Sequence, residues 1–380
     1  MSYPYFFTIM DYLQYATLFI LIIYGWLIIY FLWGWWQLKP LKTQPPDNKV
    51  VYISIIVPYR DEAHNLKSLI RGLANQRFSG QFEAIMVDDG SKDHGPNLIK
   101  KLKEQYTWLK MSRSDGVGKK AAIRHGIKHA KGELIVTTDA DCIIGESWLQ
   151  TICDFYQLNN PDMIVMPVKL KDGSSILDIF QQMDYLAMQI VTAGATGIGK
   201  PIICSGANLA FTKEAYLKTS PSMAGQDYLS GDDVFLLHAF KKHNQKISYL
   251  KSQKVIVEAQ PAPTTQKFLE QRIRWGGKSK GYKDFFTLIT VAIVFLSNFS
   301  MALLPITTIL QNTKLMYVIG FWVFKISLDA LLLTNGKKFF SIRTLSCWYI
   351  PFSFIYPYYL VFTALSALIK KEQWKRRQGK

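Results

Sequence analysis

Residues 133–142 read Glu-Leu-Ile-Val-Thr-Thr-Asp-Ala-Asp-Cys, a short apolar run that ends in two carboxylates separated by one small residue. The run Leu134 to Val136 has the pattern of a buried strand, so Asp139 and Asp141 are predicted to leave the sheet at its carboxyl end. Ligands bind at that edge in open α/β sheets, and two carboxylates there suit Mg²⁺ or Mn²⁺ shared with a diphosphate. The stretch therefore indicates a metal–nucleotide site. A polar turn after a strand is the alternative, and the motif alone does not decide between them.

Long apolar segments lie near both ends of the 380-residue chain. Tyr15 to Trp36 contains no charged residue and can cross the roughly 30 Å hydrocarbon core of a bilayer. It is too long for a cleaved signal peptide and lacks the preceding basic residues. Three more candidates are Phe285 to Gln311, Leu315 to Thr334 and Leu345 to Ile369. The sequence predicts an integral protein of the cell (cytoplasmic) membrane with a soluble central domain.

The chain carries 45 Lys and Arg against 28 Asp and Glu. No nucleic-acid motif or basic stripe with interleaved aromatic residues occurs, so nucleic acid is not an expected partner. Membrane lipids and an anionic nucleotide explain the positive excess. The four cysteines show no paired spacing, which predicts neither a zinc site nor disulfides and fits a reducing compartment. They are Cys142, Cys153, Cys204 and Cys347.

The charges beside the apolar segments predict the orientation in the membrane. No Lys or Arg precedes the first segment and three lysines follow it within residues 39–49, so the amino terminus is expected outside and the domain in the cytoplasm. Three further crossings would put the basic tail outside, against the same rule. Either the rule fails or residues 345–369 do not cross, because Pro351 and Pro357 break them into a re-entrant element with both ends cytoplasmic.

The soluble domain opens with strand Ile53 to Pro58, an amphipathic helix to Asn75 and strand Ala84 to Val87, which predict a parallel βαβ unit. Asp88 and Asp89 would then lie beside the exit of the first strand and accept hydrogen bonds from a nucleobase and ribose. A turn built on Asp89 is an equally natural explanation.

Gly116-Val-Gly-Lys-Lys120 combines glycines with positive charge and suits a phosphate, although it lacks the spacing of a P-loop. Alternatively, Lys120 is only a side chain of the helix Lys119 to His129 and has no role in phosphate binding. A strand is predicted over Met163 to Val168, followed by an amphipathic helix from Ile176. That helix is either a lid on the domain or a membrane-surface or acceptor-channel helix, and its lack of basic residues slightly favours the lid.

Three later motifs have both an ordinary and a functional interpretation. Cys204 to Asn208 is a small, polar, flexible run suited to lining a cleft near a sugar. Asp232-Asp233 either caps the helix that follows or supplies a general base, Asp233, beside an acceptor hydroxyl. Gln271 to Trp275 lies on a short helix before the membrane, where Trp and Arg are expected for structural reasons alone. Alternatively, Arg274 binds pyrophosphate oxygens and Trp275 stacks on the acceptor.

In their order, these stretches resemble the family 2 glycosyltransferases of GT-A fold, in the membrane branch that includes cellulose, chitin and hyaluronan synthases and ceramide glucosyltransferase. The resemblance covers roughly Ile53 to Trp275 and implies an α/β domain with a Rossmann-like, mostly parallel sheet, flanked by transmembrane helices. The matching pieces are Ile56-Val57-Pro58 with Glu62 and Asn65, Val87 to Ser91, Gly118-Lys119, Asp139 to Asp141, Cys204 to Asn208, Asp232-Asp233 and Gln271 to Trp275.

The resemblance implies an inverting transfer from a nucleotide diphosphate sugar, with a UDP-sugar favoured. Asp141 and Asp139 would hold Mg²⁺ or Mn²⁺, and Asp233 would be the catalytic base, preceded by Asp232 where the family usually has Glu. The residues implied in donor binding are Pro58, Glu62, Asp88, Asp89, Lys119 and Asp139. Those implied in holding the acceptor and diphosphate are Gln271, Arg274, Trp275 and Asn208.

Four spans leave little room for a polymer channel, so the expected acceptor is a lipid or a lipid-linked glycan. A processive polysaccharide synthase is the alternative, and a non-catalytic scaffold that binds glycan or nucleotide is a third reading, which the full set of acids disfavours. The predicted parts are an anchor over residues 1–38, a catalytic domain over 39–283 and a membrane region of two or three spans over 284–380.

Overall fold

The structure of the protein is a computed structural model, and it describes seven stretches of the chain. They are residues 3–41, 51–225, 232–311, 315–342, 345–369, 373–374 and 377–378. Most of the tail charges that enter the predicted topology lie outside the described residues.

Among these residues, seven strands form the central sheet, and two short strands form a separate parallel pair. The strands are β1 Tyr52–Tyr59, β2 Gln81–Asp88, β3 Leu109–Arg113, β4 Leu134–Thr137, β5 Met163–Val165, β6 Val168–Leu170, β7 Leu209–Thr212, β8 Ile247–Tyr249 and β9 Val257–Ala259. The sheet order is β3-β2-β1-β4-β7-β5-β8, with β7 antiparallel to both neighbours and the other pairings parallel. β6 pairs with β9. The predicted α/β class with a mostly parallel sheet is confirmed.

Helices cover both faces of the sheet and extend beyond it at both ends of the chain. They are α1 Tyr3–Gln37, α2 Ala63–Ala74, α3 Gly95–Leu102, α4 Lys119–His129, α5 Trp148–Asn159, α6 Ile176–Gly197, α7 Lys213–Thr219, α8 Asp232–Lys242, α9 Thr265–Gly277, α10 Phe285–Gln311, α11 Leu315–Lys337 and α12 Leu345–Ile369. The central strands are mostly apolar because helices bury both of their faces. At the tail, Gln373–Trp374 pairs with Arg377–Gln378.

The register of the parallel strands brings their carboxyl ends together. Tyr59 at the end of β1 lies opposite Asp88 at the end of β2, and Ile56 lies opposite Thr137 at the end of β4. The loops that carry the predicted acidic residues therefore leave the sheet at one edge, as the sequence predicted.

The strand predicted over Met163 to Val168 is wrong, because the chain changes sheet in its middle. β5 ends at Val165 and β6 begins at Val168. Pro167 has no N–H to donate, so the ladder stops there. Its carbonyl instead accepts hydrogen bonds from Val257 N and Asn208 Nδ2.

Within the described residues, four helices are long and apolar enough to cross a membrane: Tyr12–Gln37, Phe285–Pro305, Leu315–Lys337 and Trp348–Ile369. They confirm the predicted apolar segments. The predicted break at Pro351 and Pro357 is wrong, because α12 is continuous over 25 residues. Prolines are tolerated within apolar helices where neighbouring groups satisfy the freed carbonyls.

The α6 helix lies between the domain and the apolar helices. It packs against α1, α11 and α12 on one side and against β6 and β8 on the other. A Cβ on Gly194 would lie 2.1 Å from the backbone oxygen of Phe31, so α6 and α1 touch at backbone distance. Gln182 and Asp184 of its polar side are buried. Neither of the two predicted roles, a lid or a membrane-surface helix, is sufficient to describe α6, because the helix joins the domain to the apolar helices.

Candidate functional site

The two acids of the opening motif lie in the loop after β4, and a lysine from α4 reaches them. Lys119 Nζ lies 2.5 Å from Asp139 Oδ1, and both side chains are partly exposed. Burial, together with the negative charges of Asp139 and Glu62, raises the pKa of Asp141 to about 6, although the positive charge of Lys119 opposes this rise. Three acids from two strand-end loops therefore meet beside one lysine.

This donor set fits a divalent cation that shares its coordination with a substrate. Among the described residues, no group of three or more His, Cys, Asp or Glu is arranged to hold a metal ion by itself. Mg²⁺ is often held by one or two carboxylates plus substrate phosphates, and Asp139 and Asp141 offer that number of hard oxygen donors. The mutual repulsion that raises the Asp141 pKa is what a bound cation would relieve.

The acids at the end of β2 are held by backbone groups. Asp88 Oδ1 accepts a hydrogen bond from Ser91 N at 2.9 Å, so the turn after β2 is built on Asp88 and not on Asp89. Asp89 Oδ1 accepts from Gly118 N at 2.8 Å, which ties the end of β2 to the start of α4. Both side chains are buried, and Pro58 is buried in β1 opposite Val87. Their contacts with a nucleotide stay a prediction.

The glycine turn before α4 sends its two lysines to different places. Gly118 has φ of 98°, a backbone conformation that favours glycine, and the helix starts at the next residue. Lys119 faces Asp139, whereas Lys120 is buried and its Nζ donates to Gly225 O at 2.8 Å. Of the two, Lys119 is the one directed toward the acidic loops.

Asp233 lies in the first turn of α8 and faces the same loops. Its Oδ2 accepts from Gly206 N and its Oδ1 accepts from Val234 N, each at 2.9 Å. Burial alone would raise the pKa of Asp233, but the positive charges of Lys278 and Lys119, together with the two backbone hydrogen bonds, lower the pKa below its ordinary value. Lys278 Nζ lies 3.8 Å from Oδ1. The backbone of Asp232 begins α8, and its side chain is outside the part of the molecule that the structure describes.

A cavity of about 290 Å³ opens beside Asp233. Its walls come from α4, β7, α7 and α8 and are mostly apolar, with Leu209 and Phe211 among the lining residues. Asp233 shares this lining with Thr137 and with two basic residues of α4, Lys120 and Arg124.

The expectation that Asn208 contacts the acceptor is wrong. Its side chain is fully buried, and all of its polar atoms bind the protein. Asn208 Nδ2 donates to Pro167 O and Val255 O, and its Oδ1 accepts from Trp148 Nε1. This asparagine fastens β7 to two loops, and the run Cys204 to Asn208 is anchored at that end.

The motif Gln271 to Trp275 lies in α9, as predicted, but its organising residue is Arg272. Arg272 Nε lies 2.6 Å from Asp184 Oδ2 of α6, and both side chains are buried. Its Nη1 donates to Gln271 Oε1 at 2.8 Å, and its guanidinium lies 4.3 Å from the centroid of the Trp275 ring. Arg272 therefore fixes the orientation of Gln271 and Trp275. Arg274, also on α9, is partly exposed.

The same buried pair reaches α12. Tyr356 and Tyr359 of that helix donate hydrogen bonds to Asp184 at 3.0 and 3.4 Å. Neither Arg272 nor Lys278 was among the site residues predicted from the sequence. The available sequence signal for Arg272 was Asp184, because a buried acid in α6 requires a cation as its partner. No sequence signal singled out Lys278, because a lysine beside a membrane segment is expected in any case.

Comparison with known proteins identifies the central domain. Residues 54–216 match the sequence model of glycosyl transferase family 2. A beta-monoglucosyldiacylglycerol synthase of Trichormus variabilis is 29% identical over 110 residues, which are 28% of this chain and 24% of that protein. A cholesterol galactosyltransferase of Borreliella burgdorferi is 25% identical over 30% of this chain and 31% of that protein. A dolichyl-phosphate beta-glucosyltransferase of Trichomonas vaginalis is 33% identical over 25% of this chain and 32% of that protein.

The match therefore spans between about a quarter and a third of the length of these relatives. One solved structure resembles nearly the whole chain, the mannosyltransferase PcManGT of Pyrobaculum calidifontis in complex with GDP-Man and Mn²⁺. It superposes with a TM-score of 0.59 at 19% identity over 96% of this chain and 99% of that one. The similarity confirms the predicted GT-A fold.

Proposed function

We propose that this chain, whose residues 54–216 match the sequence model of glycosyl transferase family 2, transfers a sugar from a nucleoside diphosphate sugar to a lipid or lipid-linked acceptor at a membrane surface. One observation carries the proposal. Three acids from two elements meet around Lys119 at the ligand-binding edge of the sheet: Asp139 and Asp141 after β4, and Asp233 from α8.

The donor would lie across the ends of β1, β2 and β4. Asp88 and Asp89 would bind the nucleoside, and Lys119 would contact the phosphates. Asp139 and Asp141 would hold Mg²⁺ or Mn²⁺, an assignment that the Mn²⁺ bound by PcManGT supports. A bound cation would offset negative charge on the departing diphosphate.

Asp233 would take the proton of the acceptor hydroxyl as the acceptor oxygen attacks C1 of the sugar. Lys119 and Lys278 keep Asp233 ionised, which is the form that a base needs. The bond from C1 to the acceptor oxygen forms as the bond to the diphosphate breaks, so the configuration at C1 inverts and no protein nucleophile takes part. Gln271, Arg274 and Trp275 would hold the diphosphate and acceptor from α9.

Two separate observations support a lipid acceptor. The three relatives named above are described by diacylglycerol, cholesterol and dolichyl phosphate products or acceptors, all of them lipids. The chain also carries four helices apolar enough for a membrane, and α9 ends eight residues before one of them. An acceptor that lies in the bilayer would thus meet the domain beside α9.

A donor and acceptor screen tests the proposal. The purified protein would be incubated with Mn²⁺ or Mg²⁺, a total lipid extract and each of several radiolabelled UDP- and GDP-sugars. We expect one donor to yield label in the organic phase, and we expect Asp141→Asn to abolish this while Glu104→Gln, at an exposed acid of the domain, retains it.

Each remaining outcome of the screen has a defined meaning. Label in a water-soluble polymer would show that the acceptor is a growing polysaccharide and not a lipid. Turnover that Asp141→Asn retains would refute the metal assignment. Absence of turnover with every donor, together with donor binding that does not depend on Asp141, would overturn the proposed transferase activity.

A further inference from the structure

A second, larger concavity lies apart from the acidic loops. It has a volume of about 990 Å³ and is bounded by the segment after α6, the far end of α8, the turn before β8 and the start of α10. We call it the basic groove, defined by Lys200, Lys241, Lys242, Lys246 and Lys283. None of these lysines belongs to the proposed transfer site.

The charge of the basic groove is predominantly positive. Its lining includes five lysines and one acid, Asp284. Lys241 Nζ lies 2.8 Å from Asp284, so that acid is already paired. Lys200, Lys242 and Lys283 are exposed, and no salt bridge to them occurs in the part of the chain that the structure describes. Three positive charges thus face one open concavity, which favours an anionic ligand.

The groove lies where the apolar helices meet the domain. Phe285, its last lining residue, is the first residue of α10 and is 75% exposed. The Phe286 ring packs edge-on against Tyr30 and Phe31, near the domain end of α1. Lys200 Nζ lies 6.0 Å from the Phe286 ring centroid. If α1 and α10 span a bilayer, the lysines therefore lie at its surface, at the depth of the lipid headgroups.

An apolar surface continues from the groove along the first turns of α10. Leu288 and Ile289 are exposed there, as is Phe285. A ligand with an anionic head and an apolar chain would match both surfaces, whereas a soluble anion would use only the lysines. The two surfaces together select a membrane lipid as the occupant.

We propose that the basic groove binds the headgroup of an anionic phospholipid, with its phosphate among Lys200, Lys242 and Lys283 and its acyl chains along α10. The lipid is a bound membrane component and not the acceptor of the transfer reaction. Its binding holds the α8 end of the domain against the membrane surface. The claim concerns binding alone, so it stands or falls independently of the proposed sugar transfer.

A lipid titration of the full-length protein in detergent tests this. Native mass spectrometry would follow binding of phosphatidylglycerol and, separately, of phosphatidylcholine. We expect the wild type to prefer phosphatidylglycerol, and we expect the triple variant Lys200→Gln/Lys242→Gln/Lys283→Gln to lose about tenfold or more of that affinity. The matched control Lys100→Gln/Lys101→Gln/Lys103→Gln removes three exposed lysines at α3 and should bind as the wild type does.

Both triple variants change only exposed lysines, and equal melting temperatures would verify that they remain folded. Unchanged phosphatidylglycerol affinity in the groove variant would overturn the proposal, as would equal wild-type affinity for the two lipids. Complete displacement of the lipid by an equal concentration of inorganic phosphate would assign the lysines to a soluble anion and overturn it too.

Discussion

Asp233 is held in its charged form by two lysines that come from distant parts of the sequence. Lys119 opens α4, and Lys278 follows α9 in the 3₁₀ turn Lys278–Gly281. Their charges lower the pKa of Asp233 although its burial opposes this. A base that must remain ionised inside the protein needs such a partner, because burial alone would favour the protonated carboxyl.

Removing one of these lysines should move the pH dependence of the reaction. We expect Lys278→Met to raise the pKa of Asp233, so that kcat/KM falls at a higher pH on the acidic side than in the wild type. The sign follows from Asp233 being active when ionised, since a higher pKa protonates it earlier as the pH falls. A pH–rate profile with the identified donor measures this.

Lys280→Met is the matched control, because Lys280 is exposed in the same 3₁₀ turn and its Nζ donates to Leu368 O. The acidic limb of the pH–rate profile of Lys280→Met should coincide with that of the wild type. If the acidic limb of the Lys278→Met profile is unchanged, or lies at lower pH, the result would contradict the electrostatic role of Lys278.

The buried ion pair between α6 and α9 connects elements that the sequence leaves unrelated. Arg272 and Asp184 are each about 5% exposed at the side chain, and Arg272 also positions Gln271 and Trp275. Breaking a buried pair from one side leaves an uncompensated charge, whereas removing both partners leaves none.

A double-mutant cycle should reveal this coupling. We expect Arg272→Met to lower the free energy of unfolding by about 3–5 kcal/mol, and the double variant Asp184→Asn/Arg272→Met to lose less than the sum of the single variants. Lys267→Met removes an exposed pairing with Glu270 on the same helix and should change stability by less than about 0.5 kcal/mol. Strictly additive losses, measured by denaturation in detergent, would contradict a coupled pair.

The close contact between α6 and α1 gives a second test at the level of elements. We expect Gly194→Ala to lower the free energy of unfolding by about 1–3 kcal/mol, because its Cβ would overlap the backbone oxygen of Phe31 and the helices must separate. Gly320→Ala is the matched control, since the added methyl group in α11 would have no described atom within 4 Å apart from its chain neighbours and the nearby backbone of its own helix. Equal stability of the two variants would contradict direct backbone contact between α6 and α1.

Local patterns predicted the elements well, and long-range contacts account for the errors. The bounds of α4, α10 and α12 agree with the sequence prediction because period and helix ends are encoded locally. The division between β5 and β6 depends on which distant strand each half pairs with, and Pro167 was the only local signal. Asn208 has the composition of a ligand-binding residue, and its burial depends on Trp148 and Val255, far away in the chain.

For the candidate site, the sequence predicted which strand ends would meet but not which charges would pair. Asp139 and Asp141 follow a strand whose position in the sheet is implied by the βαβ order. The pairing of Lys119 with Asp139 and of Lys278 with Asp233 depends on side-chain directions that no spacing encodes.

At the scale of the whole molecule, the ends of α12 bear on its orientation. Before the helix, Phe339 O accepts a hydrogen bond from Gln253 Nε2 of the domain, and near its end Leu368 O accepts from Lys280 Nζ. The segment before α12 and the last turn of α12 therefore both contact the domain or the chain next to it. Within the apolar helices, Lys325 and Asp329 pair at 2.5 Å, and Tyr24 donates a hydrogen bond to Asp329.

These contacts, with the basic tail, favour a carboxyl terminus on the same side of the membrane as the domain. Single cysteines would be introduced into a variant without native cysteines and labelled with an impermeant maleimide in sealed vesicles. We expect Gln378→Cys to be labelled from the same side as Lys100→Cys, and Ser2→Cys from the opposite side. Labelling of Gln378→Cys together with Ser2→Cys would show that α12 crosses and would contradict this topology.

The central claim is that Asp233 performs the chemical step of a transfer whose donor is bound by the loops after β1, β2 and β4. The most direct measurement compares donor binding and sugar transfer to lipid in Asp233→Asn and the wild type. We expect the variant to bind the identified nucleotide sugar as tightly as the wild type and to transfer the sugar at least about 100-fold more slowly. Transfer at the wild-type rate by Asp233→Asn would contradict the account.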